Sequence, residues 1–306
     1  MEDKTRRVLI RVIGAPIILA ILGGVLYWDY ARKSHLGLMI IMAIFTAGGL
    51  WEFYNMCRLK GYNPARYVGI VVVILGSIFL IIRYEPDGLF ARFTRYEPNN
   101  LFIYYTAIIS IITVYLLIKI VFRYNKFSII DASLTLIGFV YLTLWIIGIA
   151  YAVTVKNMFM RGDIIILYLF AVNKGSDMFA YCFGKLLGKT KLAPNVSPNK
   201  TVVGAVAGLI GGTTIGTLIA SPFYPTEVGD YSIAIETSIV AAAAQLGDLV
   251  ESVIKRWAGV KDSGHLLPEF GGFLDTIDSF LVSIPVFMCI MPLYMHWSFN
   301  IGAMAL

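Results

Sequence analysis

Long apolar runs separated by short polar segments make up most of this chain. About 20 apolar residues in a row allow a helix to cross the hydrocarbon core of a bilayer. Only helices and closed barrels can span, because lipid offers the backbone no hydrogen-bond partners. The runs are too long for barrel strands, so the pattern predicts an all-α polytopic membrane protein. We expect about nine spans, at residues 8–28, 36–56, 67–83, 101–121, 131–155, 163–184, 203–224, 231–256 and 279–301.

The composition agrees with a membrane protein. Hydrophobic residues make up 58% of the 306 residues and charged residues 14%, and the mean hydropathy is +0.76. A soluble domain carries about 25% charged residues. The first apolar run follows Lys4, Arg6 and Arg7, but it is too long for a signal peptide and lacks a cleavage pattern. We therefore expect it to be retained as the first span.

The basic residues predict how the chain is oriented. If the N-terminus is cytoplasmic, most Lys and Arg fall in cytoplasmic segments, as the positive-inside rule requires. The net charge of +6 then reflects loop charge, and we expect no nucleic-acid partner. The widely separated cysteines and histidines argue against a disulfide framework or a zinc site. In a bacterium, the protein would lie in the cell (inner) membrane with its polar loops facing the cytoplasm.

The two parts of the chain differ in chemistry. Residues 1–160 read as membrane-anchoring helices, whereas residues 161–306 carry ionisable groups within apolar segments and read as the catalytic part. Glycines recur every fourth residue in the seventh span, at Gly204, Gly208, Gly212 and Gly216. Such a stripe favours close helix packing, including packing in a homodimer. A phosphate-binding loop is the alternative, although no Walker Gly-Lys-Ser/Thr follows.

The densest cluster of ionisable residues lies in the eighth span. Asp248, Glu251, Ser252 and Lys255 fall on one helical face. A Glu251–Lys255 ion pair at the membrane border is the simpler interpretation. Asp248 is harder to explain in that way, because it follows the apolar run 241–244. Charge inside a span is costly and commonly marks a functional site.

A second group of acids follows two glycines. Gly271 and Gly272 suit a tight turn, and we expect Asp275 and Asp278 to open the next helix on one side. Carboxylates at a helix N-terminus are favoured by the helix dipole, so capping is one interpretation. A divalent-ion site is the other. Mg²⁺ prefers carboxylate oxygens and commonly bridges to substrate phosphate, and no cysteine or histidine cluster points to zinc.

Two further features lie upstream. Lys174 and Asp177 lie in the sixth span, where they could neutralise one another or shape a cavity. The segment 184–201 carries four lysines, two prolines and no acid. A solvated cytoplasmic loop explains that composition, and so does a polyphosphate-binding loop. Together with the acids, these features suggest phosphoryl or nucleotidyl transfer to a lipid.

Several of these motifs resemble the CDP-diacylglycerol synthase (phosphatidate cytidylyltransferase) family. The long signature matches at Ser252-x-Ile254-Lys255-Arg256, Lys261-Asp262-x-Gly264, Leu267-Pro268, Gly271-Gly272, Asp275 and Asp278. The shorter motifs match at Ser197-Pro198-Asn199-Lys200-Thr201 with Gly204, at Gly247-Asp248-Leu249-x-Glu251-Ser252, and at Asp177 with Ala180-Tyr181 and Gly184. Phe270, Thr276 and Val203 stand where the family usually has His, Arg and Glu. No role of those three side chains carries over.

The resemblance implies a nucleotidyltransferase that makes CDP-diacylglycerol and pyrophosphate from CTP and phosphatidate. It implies Mg²⁺, with a second cation left open, and the metal ligands would be Asp248, Asp275 and Asp278. The catalytic residues would be these three aspartates and Lys255. The substrate-binding residues would be Asp177, Ser197, Lys200, Thr201, Glu251, Ser252, Arg256, Lys261 and Asp262. An ion-coupled transporter and a CTP-dependent lipid kinase that releases CDP are the alternatives.

Overall fold

The all-α polytopic fold predicted from the sequence is confirmed. The structure is a computed structural model that describes residues 23–25, 27–29, 31–32, 35–84, 100–154, 160, 162–224, 229–264 and 271–291. The helices are α1 Leu36–Leu59, α2 Arg66–Tyr84, α3 Asn100–Phe122, α4 Ile129–Thr154, α5 Gly162–Leu187, α6 Val202–Ala220, α7 Asp230–Ala258 and α8 Phe273–Ile277. A further helix, α9, covers 280–291.

Seven segments of the described chain are long and apolar enough to cross a membrane, and a shorter apolar helix covers Arg66–Leu80. The eight predicted spans from 36–56 onward each fall on one of these helices, with their described ends shifted by a few residues. Residues 292–301 of the last predicted span lie outside the described residues. The predicted first span, 8–28, lies largely outside the described residues. The protein is therefore an integral membrane protein, and its count of about nine spans is approximate.

The lysine-rich segment forms a hairpin, which the sequence analysis did not predict. Strands β1 (Lys191–Ala193) and β2 (Ser197–Thr201) pair in an antiparallel sheet. The turn between them is closed by a hydrogen bond from Val196 N to Ala193 O at 3.1 Å. Pro and Asn fill the two central positions of that turn, and both residue types favour turns.

The last described span is interrupted at its acids. Asp275 lies inside the five-residue helix α8, and Asp278 lies in a two-residue turn before α9. The expectation that both aspartates open one helix was therefore wrong. Asp278 Oδ1 accepts hydrogen bonds from Ser279 N at 2.5 Å and from Ser279 Oγ at 2.8 Å. Such local bonds compete with helical pairing, which explains the break.

The chain forms two compact units. The first unit contains Met1–Ala150 and Trp257–Ile277, and the second contains Tyr151–Arg256 and Asp278–Leu306. This division does not test the functional boundary predicted at residue 160, which stays a prediction.

Helix α1 is firmly held in the first unit. Tyr54 donates a hydrogen bond to the Thr135 carbonyl of α4 at 2.7 Å. Trp145, also in α4, donates from Nε1 to Thr46 Oγ1 at 3.0 Å. Tyr54 and Thr46 are both fully buried. Because these bonds lie on both sides of the middle of α1, the groups carried there have a fixed position.

The glycine stripe of α6 brings that helix close to α5 in the second unit. A Cβ atom on Gly204 would lie 2.7 Å from the Ala180 carbonyl oxygen, and one on Gly208 would lie 2.7 Å from the Ser176 carbonyl oxygen. A Cβ on Gly216 would lie 2.4 Å from Val172 Cγ2. The close-packing interpretation is confirmed within the chain, whereas the homodimer stays a prediction.

Candidate functional site

Three carboxylates meet in the second unit. Asp248 and Glu251 lie on α7, and Asp278 lies in the turn between α8 and α9. One oxygen atom from each residue lies within 4.8 Å of the other two. Glu251 is fully buried and Asp278 is 9% exposed. Glu251, which was predicted to bind substrate, lies among the candidate metal ligands, and its predicted role stays a prediction.

Gly247 explains how the turn reaches α7. A Cβ atom at this position would lie 2.5 Å from the carbonyl oxygen of Asp278 and 3.1 Å from Ser279 Cα. Any side chain would therefore collide with the backbone of the turn. The absence of a side chain at Gly247 lets Asp278 approach Asp248, the next residue of α7.

Two lysines partly neutralise the cluster. Lys200 forms an ion pair with Asp248, and Lys255 forms one with Glu251. The Glu251–Lys255 pair is the one anticipated from the sequence. The three carboxylates and two ammonium groups together carry one net negative charge. Carboxylates this close repel one another unless a cation lies nearby, and oxygen donors suit a hard cation such as Mg²⁺.

A second pair extends the charged region along α5. Lys174 Nζ lies 3.2 Å from Asp177 Oδ2, with about two-fifths of each side chain exposed. The neutralising pair considered in the sequence analysis is therefore present. Asp177 also interacts electrostatically with Asp248 and Lys200, and Lys174 does so with Asp278. The Lys174–Asp177 pair thus adds one positive and one negative charge beside the three clustered carboxylates and their two lysines.

The hairpin holds Lys200 beside this array. Thr201 is buried at the end of β2, and its Oγ1 accepts a hydrogen bond from Gly204 N at 3.1 Å, which caps α6. Arg256 donates from Nε to the Val196 carbonyl at 3.2 Å. The structure thus gives Thr201 a capping contact and Arg256 a contact with the turn. Their predicted roles in substrate binding stay predictions, as does that of the partly exposed Ser197.

Asp275 organises a turn in the first unit. Its Oδ2 atom accepts hydrogen bonds from Ser263 N at 3.0 Å, Ser263 Oγ at 2.9 Å and Gly272 N at 2.7 Å. The preceding Lys261 and Asp262 are exposed. The turn-stabilising role is therefore observed, and the predicted metal role of Asp275 stays a prediction.

The remaining predicted residues are placed as follows. Ser252 lies on α7 and is buried. Its predicted role stays a prediction, as do those of Lys261 and Asp262. The motif pair Leu267-Pro268 and the departure at Phe270 lie outside the described residues.

Sequence reasoning missed Glu52, which lies on α1 and is only 3% exposed. Its carboxylate accepts hydrogen bonds from Ser263 Oγ at 2.9 Å, Phe273 N at 3.0 Å and Leu274 N at 2.9 Å. The available signal was its position inside the predicted span 36–56, since an ionisable residue within a span merits attention by default.

Comparison with known proteins shows the family. The model of the cytidylyltransferase family matches residues 5–294. A phosphatidate cytidylyltransferase from Staphylococcus saprophyticus is 34% identical over 88% of this chain and 95% of its own length. The phosphatidate cytidylyltransferase of Bacillus subtilis is 29% identical over 96% of this chain and its full length. The one from Staphylococcus aureus strain COL is 31% identical over 88% of this chain and 95% of its own length. The chain belongs to the cytidylyltransferase family.

Proposed function

We propose that this membrane protein transfers the cytidylyl group of CTP to phosphatidate, giving CDP-diacylglycerol and pyrophosphate. The observation that carries the proposal is the cluster of Asp248, Glu251 and Asp278 with Lys200 and Lys255 in the second unit. Family membership and the names of the relatives support the same reaction. The predominance of Lys and Arg in the predicted cytoplasmic segments favours a reaction at the cytoplasmic face.

The reaction requires two anions to meet. A phosphate oxygen of phosphatidate attacks the α-phosphorus of CTP, and the bond from that phosphorus to the bridging oxygen breaks. Pyrophosphate leaves with the bonding electron pair. Protein groups act in such transfers mainly by positioning the reactants and stabilising charge. Lys200 and Lys255 lie where they can exchange a carboxylate partner for a phosphate oxygen.

Asp248, Glu251 and Asp278 fit a divalent metal site, because they offer closely spaced hard oxygen donors and carry excess negative charge. They are the residues that would hold Mg²⁺. The ion would offset negative charge on the phosphates. Asp275 remains a further candidate ligand, and a second cation remains part of the proposal.

A product assay on purified protein in phosphatidate-containing vesicles tests the function. With CTP and Mg²⁺, we expect equal amounts of pyrophosphate and CDP-diacylglycerol. Release of CDP with phosphorylated lipid would instead identify a CTP-dependent lipid kinase. Turnover of neither kind would refute the proposal and favour a transporter, which solute flux across the vesicles would then reveal.

Lys200→Ala is expected to raise the KM for CTP about tenfold with a smaller change in kcat. The ammonium group of Lys200 is placed to bind phosphate, and a charge-assisted hydrogen bond contributes about 1.5–3 kcal/mol. Steady-state kinetics with varied CTP provide the measurement. Lys189→Ala is the matched control, since Lys189 is an exposed lysine just before the hairpin. An unchanged KM in Lys200→Ala would argue for a structural role of this lysine.

A further inference from the structure

We infer that Glu52, in the C-terminal half of α1, is a positioning residue for the proposed reaction: it anchors both described ends of the segment between Ser263 and Leu274. This inference rests on the proposed function, because that segment directly follows Lys261 and Asp262 and directly precedes Asp275. Glu52 itself is remote in sequence from every motif of the family resemblance.

The contacts of Glu52 join two stretches that are separated along the chain. Its Oε2 atom accepts from Ser263 Oγ at one end, and from Leu274 N at 2.9 Å at the other. Its Oε1 atom accepts from Phe273 N at 3.0 Å. Phe273 and Leu274 begin α8, where backbone N–H groups lack helical partners. The Glu52 carboxylate therefore caps the N-terminus of α8 and also holds Ser263, the first residue of the segment, close to that helix end.

Two glycines provide independent support. A Cβ atom on Gly264 would lie 2.2 Å from Glu52 Oε1, and a Cβ on Gly272 would lie 2.3 Å from Glu52 Oε2. Gly271 adopts a φ of +88°, a conformation that side chains disfavour. The backbone thus lies close to the Glu52 carboxylate on both sides, and a side chain at Gly264 or Gly272 would have to displace that carboxylate.

Glu52 and Asp275 share one partner. The hydroxyl of Ser263 lies 2.9 Å from Oε2 of Glu52 and 2.9 Å from Oδ2 of Asp275. A hydroxyl has a single proton to donate, so it can serve only one carboxylate fully at a time. Each acid keeps backbone donors of its own, namely Phe273 and Leu274 for Glu52, and Ser263 and Gly272 for Asp275. The orientation of Asp275 is therefore coupled to Glu52.

The buried position of Glu52 favours a specific task for this residue. A carboxylate inside an apolar span is energetically costly. Three donors offset that cost, but an apolar side chain with a conventional helix cap would avoid it altogether. The hydrogen bonds made by Tyr54 and Trp145 fix α1 to α4. Glu52 therefore has a fixed position from which it holds the turn.

The test compares Glu52→Gln with Asp29→Asn. In Glu52→Gln, the amide keeps the side-chain shape but offers one acceptor oxygen where the carboxylate offered two. Asp29 is a matched control because it is 4% exposed and accepts from Gly37 N and Leu38 N at the other end of α1. We expect Glu52→Gln to lower kcat about 10- to 100-fold, with the KM for CTP changed by less than about threefold. Asp29→Asn should leave both constants close to wild type.

Hydrogen exchange gives a readout that does not depend on activity. Amide exchange at Phe273 and Leu274 should accelerate in Glu52→Gln and not in Asp29→Asn. A kcat within twofold of wild type, measured per folded molecule, would overturn the positioning role even if exchange accelerates. A rise in KM alone would also overturn it, in favour of substrate binding. If wild-type protein forms no CDP-diacylglycerol, the proposed function fails, and the exchange data still report whether Glu52 anchors the turn.

Discussion

Asp248→Asn is expected to lower kcat for CDP-diacylglycerol formation about 100-fold or more while the protein stays folded. Asparagine keeps the shape of the side chain but removes one of the three clustered negative charges. Replacing even an outer partner of a metal ligand commonly costs 10- to 100-fold, so loss of a ligand should cost at least as much. Initial rates of pyrophosphate release, measured over a range of Mg²⁺ concentrations, provide the test.

Glu236→Gln is the control for Asp248→Asn. Glu236 is a buried acid on the same helix, and it accepts a hydrogen bond from Tyr224 at 2.8 Å. It does not belong to the acidic cluster found among the described residues. Near wild-type rates in Asp248→Asn would contradict the proposed metal role. Equal losses in both variants would point to a general effect of neutralising acids on α7.

Gly247→Ala should reduce kcat strongly although every acid and lysine of the cluster remains. The added methyl group would begin 2.5 Å from the Asp278 carbonyl oxygen, so the turn and α7 must move apart. A misplacement of about 1 Å can cost roughly 100-fold in rate, and we expect a loss of that order. Turnover at saturating CTP and phosphatidate is the quantity to measure.

Gly229→Ala serves as the matched control, because a Cβ atom at that position has no neighbour within 4 Å among the residues that the structure describes. We expect its kcat to equal that of wild type. If Gly247→Ala retained full activity, the close approach of Asp278 to α7 would be irrelevant to the reaction.

The fold was largely predictable because bilayer physics leaves few options. Apolar runs of the right length must be helices, and the described helices from α1 onward match the predicted spans. The cytidylyltransferase family was identified correctly from the motifs between Ser252 and Asp278. Local features were less predictable. The hairpin depends on a Pro-Asn turn inside a segment whose lysines suggested either a solvated loop or a polyphosphate-binding loop.

The partners of the acids could not be derived from the sequence. Helical spacing places Glu251 beside Lys255, but only the tertiary structure pairs Lys200 with Asp248. Spacing also suggested a continuous helix through Asp275 and Asp278, whereas the side chain of Asp278 binds its neighbour Ser279 and ends α8. Glu52 was missed because its partners lie more than 200 residues further along the chain.

The hairpin also bears on how tightly a nucleotide can be held. Ordering a mobile lysine-bearing loop on binding would cost conformational entropy and weaken affinity. Here Lys200 belongs to a strand whose last residue, Thr201, caps α6, and Arg256 on α7 contacts the turn of the hairpin. Most of the conformational entropy of the Lys200 hairpin is thus lost when the chain folds, before any nucleotide binds. An incoming triphosphate should meet a lysine already in position, and the affinity for CTP should depend mainly on how readily Lys200 leaves Asp248.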